Sequence, residues 1–255
     1  MASFDGLADG YERHRPRYPD ALMRALARMA PERTPLDVVD LGAGTGIATR
    51  QLAAALGEGH HITAVDLSED MARVGAERSP GVDWRVEPAE AYLDRCGPLD
   101  LALLAQAAQW MDRPVVFARA RERLRPGGVL AVVQNDRDVG SSVFLDRYEA
   151  LIEALSPGYR RDYRAFDYAA ELAAVFRGDG ELRGELSVRW TRALSQEDFV
   201  GFARSSTQVQ RAIAARGPAF EAGLTALLRE SFGDGLAEVP YVARAFFACR
   251  ATEAR

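Results

Sequence analysis

Val38-Val39-Asp40-Leu41-Gly42-Ala43-Gly44-Thr45-Gly46-Ile47-Ala48-Thr49-Arg50 is the stretch whose reading decides the fold. Its first four residues are apolar and β-branched up to an acid and a leucine, the pattern of a strand buried on both faces. Glycines at alternate positions, Gly42, Gly44 and Gly46, then let the chain turn sharply with no Cβ in the way. The run IATRQLAAAL has helical apolar spacing and stops at Gly57, a residue suited to ending a helix. Strand, glycine turn and helix in this order make a cradle for a nucleotide, with backbone N–H groups aimed at the ligand. The dinucleotide fingerprint is G-x-G-x-x-G. Here the third glycine comes one residue early, and that turn suits a ligand without a pyrophosphate.

Working outward, residues 60–66 read as a second strand, ending in Asp66, 26 residues beyond Asp40. An acid at this place can accept hydrogen bonds from both ribose hydroxyls of an adenosine. Ser68 is a cap for the helix EDMARVGAER. Residues 82–86 form a short third strand, and Glu87-Pro88-Ala89-Glu90 opens the next helix. Residues 99–105 are a fourth strand, and PVVFARARERLRPGG is a helix stopped by Pro126-Gly127-Gly128. A fifth strand spans 128–134. This alternation predicts an α/β fold with a doubly wound, mostly parallel sheet of seven strands.

Upstream, residues 1–19 form an arm rich in arginine and tyrosine, with Asp20 as N-cap of the helix that follows. Downstream the rhythm breaks: SSVFLDRYEALIEAL and YAAELAAVF read as two helices with no strand between them. A strand resumes at 185–191, helices follow in 196–216 and 218–231, and a last strand lies near 238–249. No repeat or low-complexity linker divides the chain. The expectation is one domain over 1–255, with helical cap elements at 138–180 and 196–216.

Apolar residues at 48% and charged residues at 27% are ordinary for a globular protein. All 32 basic residues are arginine, and a net charge of −5 argues against general binding to nucleic-acid phosphates. Cys96 and Cys249 belong to no C-x-x-C pair, so neither a disulfide framework nor a metal site is expected, and a reducing cytoplasm fits. The polar start is no signal peptide, and no apolar run is long enough to span a bilayer.

With five strands laid out, the chain resembles the class I S-adenosylmethionine (SAM) methyltransferases over nearly its whole length. VVDLGAGTG is similar to their first motif, AVDLSEDM to the second and VEPAEAYL to the adenine-contacting turn. LDLALLAQAAQW and RERLRPGGVLAVV are similar to the segments around the fourth and fifth strands. More narrowly, Tyr11-x-x-x-Arg15-Pro16-x-Tyr18-Pro19, the run Trp190 to Ser195 and Ser205-Ser206 resemble the trans-aconitate methyltransferase-like group of small-molecule enzymes.

The resemblance implies SAM as cofactor and a Rossmann-like fold with a helical cap insertion. It implies that Gly42, Gly44 and Gly46 approach the methionine part, with Asp40 positioned by the strand end. Asp66 would hold the ribose, Ala89 would offer its N–H to the adenine, and Glu90 would sit at the ring edge or cap its helix. Leu67 and Met71 fit either the adenine or the core. Ala105 and Gln106 would face the methionine ammonium. The related group usually shows His-Trp after the fourth strand, and this chain has Gln109-Trp110. Glutamine takes no proton at neutral pH, so Gln109 favours a nucleophile that is already ionised, or an ordering role. Tyr11 and Arg15 of the arm would close over the site, ordering as ligand binds, and arginine suits a carboxylate. Tyr148, Tyr159, Tyr163, Phe166 and Trp190 are candidates for the acceptor wall or for the core.

The expected partner is therefore a small-molecule methyl acceptor, a carboxylic acid or a secondary metabolite, for a monomer or homodimer that engages neither nucleic acid nor membrane. Non-methylating chemistry on the same fold, such as cyclisation, is the alternative. A nucleic-acid or protein methyltransferase is disfavoured by the missing N/D-P-P-Y segment.

Overall fold

The computed structural model describes residues 6–162, 165–178, 181–233 and 235–252. Its centre is one seven-stranded sheet of β1 (Asp37–Leu41), β2 (His61–Asp66), β3 (Asp83–Val86), β4 (Leu99–Ala105), β5 (Leu124–Arg137), β6 (Leu182–Leu194) and β7 (Ala237–Cys249). The order across the sheet is β3-β2-β1-β4-β5-β7-β6, and β7 alone runs against the others. From β1 the chain winds first to one edge through β2 and β3, then returns to β4 and winds the other way. The crevice at the carboxyl ends of β1 and β4 is the topological switch point, where open α/β sheets bind ligands.

Strand residues feed two cores in alternation. Val39, Leu41, Ala102, Leu104, Leu130 and Val132 pack under α5 (Ala89–Arg95), α6 (Arg113–Arg123) and α8 (Tyr168–Val175). Val38, Leu101, Leu103, Val129 and Ala131 pack on the other face under α2 (Asp20–Ala27) and α3 (Ile47–Leu56). That two-sided demand is why the central strands carry unbroken apolar runs. A third cluster joins α7 (Val143–Leu155), α9 (Gln196–Arg204) and α10 (Thr207–Phe232) with Leu194, Val239 and Tyr241 of the last two strands. These helices roof the carboxyl end of the sheet beside β5 and β7. Between them lies α8, which packs on the sheet with α6 and does not join the roof, because Tyr168, Leu172 and Phe176 fill the first core.

Several sequence expectations need correction. Asp20 is the first residue of α2 and makes no side-chain cap; Pro19 takes the cap position. Helix α6 ends at Arg123, and Pro126-Gly127-Gly128 lies inside β5, where the β4–β5 register shifts. The fifth strand runs on past Gln134 to Arg137, paired with β7 down to Tyr241. The helices expected at 196–216 and 218–231 do part near Arg216, and the first of them is broken once more after Arg204. Ser206 caps a new helix at Thr207, and the Arg216–Pro218 segment is a kink within α10, with non-helical φ −146° at Arg216. The arm is no featureless tail: α1 (Ala8–His14) is helical and lies against α4 (Glu69–Arg78) and α9. No helix among the described residues is long and apolar enough to cross a membrane.

Candidate active site

A cavity of about 920 Å³ opens over the switch point, under the roof and the arm. Its floor begins at the glycine turn. All three turn glycines have positive φ, at +73°, +57° and +78°, which an L side chain adopts only under strain. Their surroundings differ. A Cβ on Gly44 would meet nothing within 4 Å, so this residue opens on the cavity. One on Gly42, which also lines the cavity, would collide with Ala107 at 2.6 Å. Gly46 does not line the cavity; it sits against the Trp84 ring, 3.0 Å from where its Cβ would be. Its glycine identity answers to packing and to the start of α3.

Asp66 stands at the end of β2, facing the cavity. The Gly44 N–H donates to its Oδ2 at 2.7 Å and the Ser68 N–H to its Oδ1 at 2.8 Å. Burial raises its pKa, and these backbone donors pull the other way. The backbone donors fix the carboxylate in place at the cavity, where it can accept from a ribose hydroxyl. Beside it, Leu67 and Val86 are 50% and 52% exposed, unusual for large apolar side chains. Leu67 forms the apolar wall at this end, with Met71, Ala89 and Glu90 lining the same space. Met71 is also buried against Ala8 and Val74, so it serves both the core and the wall.

Asp40 lies beneath the floor and does not line the cavity. Thr49 Oγ1 donates to its Oδ2 at 2.6 Å, while Oδ1 is buried with no partner among the described residues. Burial pushes its pKa up to about 7; the Thr49 bond opposes the rise and the Asp66 charge adds to it.

Across the floor, Ala105 and Gln106 follow β4. Gln106 takes a left-handed conformation with φ 55°, its N–H donating to Val133 O at 2.8 Å. Its carbonyl accepts from Gln109 Nε2 at 2.8 Å, which leaves Gln109 Oε1 buried with no partner among the described residues. Gln109 thus braces the Gln106 backbone and presents an acceptor, with no proton to move.

The arm reaches the same cavity with Tyr11, Arg15, Pro16 and Tyr18. It is tied to the rest of the protein by polar contacts: Glu12 pairs with Arg50 at 2.6 Å, Arg15 donates to Ser205 O at 3.1 Å, and Asn135 and Gln51 bond the backbone of Arg17 and Tyr18. Its scarcity of apolar residues is offset by polar anchors on α3, β5 and α9.

The far wall escaped the sequence reading. Arg137 and Tyr241 face the cavity with Glu149, Tyr159, Phe202, Thr207 and Gln208. Arg137 lies in a stretch, Asn-Asp-Arg, that reads as the loop after an apolar strand, and its partners come from β7 and α7, over a hundred and a dozen residues away. The alternation Val239, Tyr241, Ala243, Ala245 was the signal available for Tyr241. Of the aromatic wall candidates, only Tyr159 lines the cavity among the described residues. Tyr148 is buried against Phe199, Phe166 lies under Arg113, Trp190 stacks on Tyr241, and Tyr163 falls outside the described residues.

An acid with ribose-compatible geometry, an open glycine, an apolar wall and an unpartnered carbonyl fit an adenosyl ligand with a cationic tail. The comparisons agree. Residues 38–128 match the model of the methyltransferase domain. The trans-aconitate 2-methyltransferase of Deinococcus radiodurans is 39% identical over 110 residues, 43% of this chain and 42% of that protein. The solved structure of a putative type II methyltransferase from Anaeromyxobacter dehalogenans superposes with TM-score 0.67 at 27% identity, covering 93% of this chain and 97% of that one. Residues 38–128 thus match a methyltransferase domain, and the chain is similar to the class I SAM-dependent methyltransferases. SAM is the cofactor that goes with this family. A SAM-dependent methyltransferase from Thiobacillus denitrificans, solved with S-adenosylhomocysteine, shares the fold at TM-score 0.55 and 18% identity, covering 98% of this chain and 99% of that one. The chain spans about half the length of the curated relatives it matches, 42% and 53% for two of them.

Proposed function

We propose that this protein transfers the methyl group of SAM to a small molecule, a carboxylic acid being the acceptor class favoured. The observation that carries the reading is the single cavity that runs from Asp66 to Arg137 and Tyr241. At about 920 Å³ it is near the top of the range of small-molecule pockets, roughly 300–1,000 Å³, enough for a cofactor and a second ligand side by side.

SAM supplies an electrophilic methyl on a sulfonium. Asp66 holds the ribose, Leu67, Met71, Ala89 and Glu90 enclose the adenine, and Gly42 and Gly44 let the backbone approach the methionine part. Gln106, braced by Gln109, and Ala105 present acceptors to the ammonium. An acceptor carboxylate needs no base, which agrees with glutamine at 109. The contribution of the protein is then orientation in a space from which Tyr11, Arg15 and the roof keep water. Asp40, already engaged with Thr49 below the floor, supports the turn and touches no substrate.

A screen of small carboxylic acids with SAM tests this, read by mass spectrometry. The expected result is an acid one CH2 heavier together with S-adenosylhomocysteine. Consumption of an acceptor with no S-adenosylhomocysteine formed would favour the cyclisation-type alternative.

A further inference from the structure

We infer that Arg137 and Tyr241 form a recognition subsite for an anionic group of the acceptor, carboxylate or phosphate-like, distinct from the atom that is methylated. The inference rests on the proposed methyl-transfer function and says which end of the acceptor the far wall reads.

The two residues are cross-strand partners on β5 and β7. Both line the cavity, and both carry a buried polar atom with no hydrogen-bond partner among the described residues: Arg137 Nε and the Tyr241 hydroxyl. Tyr241 is 1% exposed, so its hydroxyl has no bulk water to fall back on. Buried polar atoms are rarely left unpaired, and two donors side by side in a cavity call for an acceptor-rich group between them.

Neither side chain is free to swing. Glu149 accepts from Arg137 Nη2, and Tyr159 donates to the other Glu149 oxygen at 2.6 Å. The rings of Tyr148 and Phe202 flank the guanidinium, each 5.2 Å from it. Trp190 stacks on Tyr241 with centroids 4.9 Å apart and planes 23° from parallel. A plain ion pair tying β5 to α7 explains Glu149 but gives no use to Nε or to the hydroxyl. Arg15 adds positive charge on the same side, its guanidinium 5.4 Å from the Phe202 ring.

Position separates this subsite from the reacting atom. Ala105, at the end of β4, pairs with Val133, and Arg137 lies four residues further along β5. At about 3.3 Å per residue, that places its Cα roughly 13 Å beyond the floor where the cofactor lies. The group held there is accordingly assigned to the end of the acceptor away from the sulfonium. Arg137 and Tyr241 therefore read a handle, and Glu149 is a positioning residue that acts through Arg137.

Calorimetry on the S-adenosylhomocysteine complex tests this with unbranched dicarboxylates from succinate to suberate, chain-matched monocarboxylates, and 5-phosphonopentanoate. The best dicarboxylate should bind at least about tenfold tighter than its monocarboxylate match. The phosphonate arm tells whether the handle is a carboxylate or phosphate-like. Tyr241→Phe removes only an unpartnered hydroxyl; it should cut the dianion advantage severalfold without lowering thermal stability or changing S-adenosylhomocysteine affinity. Arg137→Met combined with Glu149→Gln, which leaves no carboxylate unpaired, should abolish the advantage and spare monocarboxylate binding. No preference for dianions in the wild type, or a full preference in both variants, would overturn the subsite. Failure of the wild type to bind S-adenosylhomocysteine is a separate result, and it would overturn the cofactor reading itself.

Discussion

The two ends of the sheet each bury an aspartate, and they treat it in opposite ways. At the amino end, Asp100 is fully buried and fully served: the Asp37 N–H donates at 2.7 Å, Arg125 Nη1 at 2.9 Å and Arg33 Nη1 at 3.3 Å. At the carboxyl end, Asp40 has one donor and a bare Oδ1, and unpartnered atoms recur nearby on Gln109, Arg137 and Tyr241. A buried polar group without a partner costs about 1–3 kcal/mol. The amino end is built for stability. Of the unpartnered groups at the carboxyl end, those on Gln109, Arg137 and Tyr241 line the cavity, where a bound ligand can satisfy them, the usual place for such a departure from local consistency.

Breaking the satisfied end should give the largest effect. Asp100→Ala strands Arg33, Arg125 and the Asp37 N–H, and should destabilise the fold by about 3–5 kcal/mol in denaturant melts. S-adenosylhomocysteine affinity of the surviving folded protein should not change.

The same change of charge at the other end should act with the opposite sign. The pKa of Asp40 is raised from 3.8 to about 7 by burial, so the folded state holds a proton that the unfolded state has released. Stability is therefore lost as pH rises between those two values, and the loss is complete above them. Asp40→Asn keeps an oxygen for Thr49 and removes the buried charge. It should be more stable than the wild type by about 2–4 kcal/mol at pH 8, with the gap closing towards pH 4. A gap independent of pH would mean that the carboxyl is ionised throughout.

The smallest effect belongs to the arm. Glu12→Gln weakens its pairing with Arg50 and should cost about 1 kcal/mol. Amide exchange of residues 8–14 should quicken while the sheet is unaffected, and S-adenosylhomocysteine should slow it again if Tyr11 and Arg15 close on the ligand.

The contrast between the two ends also sets what the sequence made legible. The floor was readable because its signals are local: an apolar strand, positive-φ glycines, and acids at strand ends such as Asp66. Strand β4 was read to the residue because both its faces are buried and its apolar run has sharp limits. The far wall was not readable. Arg137 and Tyr241 meet only through an antiparallel pairing of distant segments, and the polar residues that extend β5 look like a loop when read alone. Gly46 was placed at the ligand by its motif, yet its glycine identity is explained by Trp84, which no spacing rule reveals. The anchors of the arm, Arg50, Ser205 and Asn135, lie far along the chain, where no local pattern points to them.

The central claim is that the carboxyl end of β2 holds the ribose of the cofactor. Titration calorimetry with S-adenosylhomocysteine on the wild type and on Asp66→Ala tests it most directly. The account predicts binding to the wild type, no heat with NADH, and a loss of one to two orders of magnitude in the variant, about 1.5–3 kcal/mol for two hydrogen bonds to a charged acceptor. Equal affinity in the two proteins, with the variant folded, would contradict it.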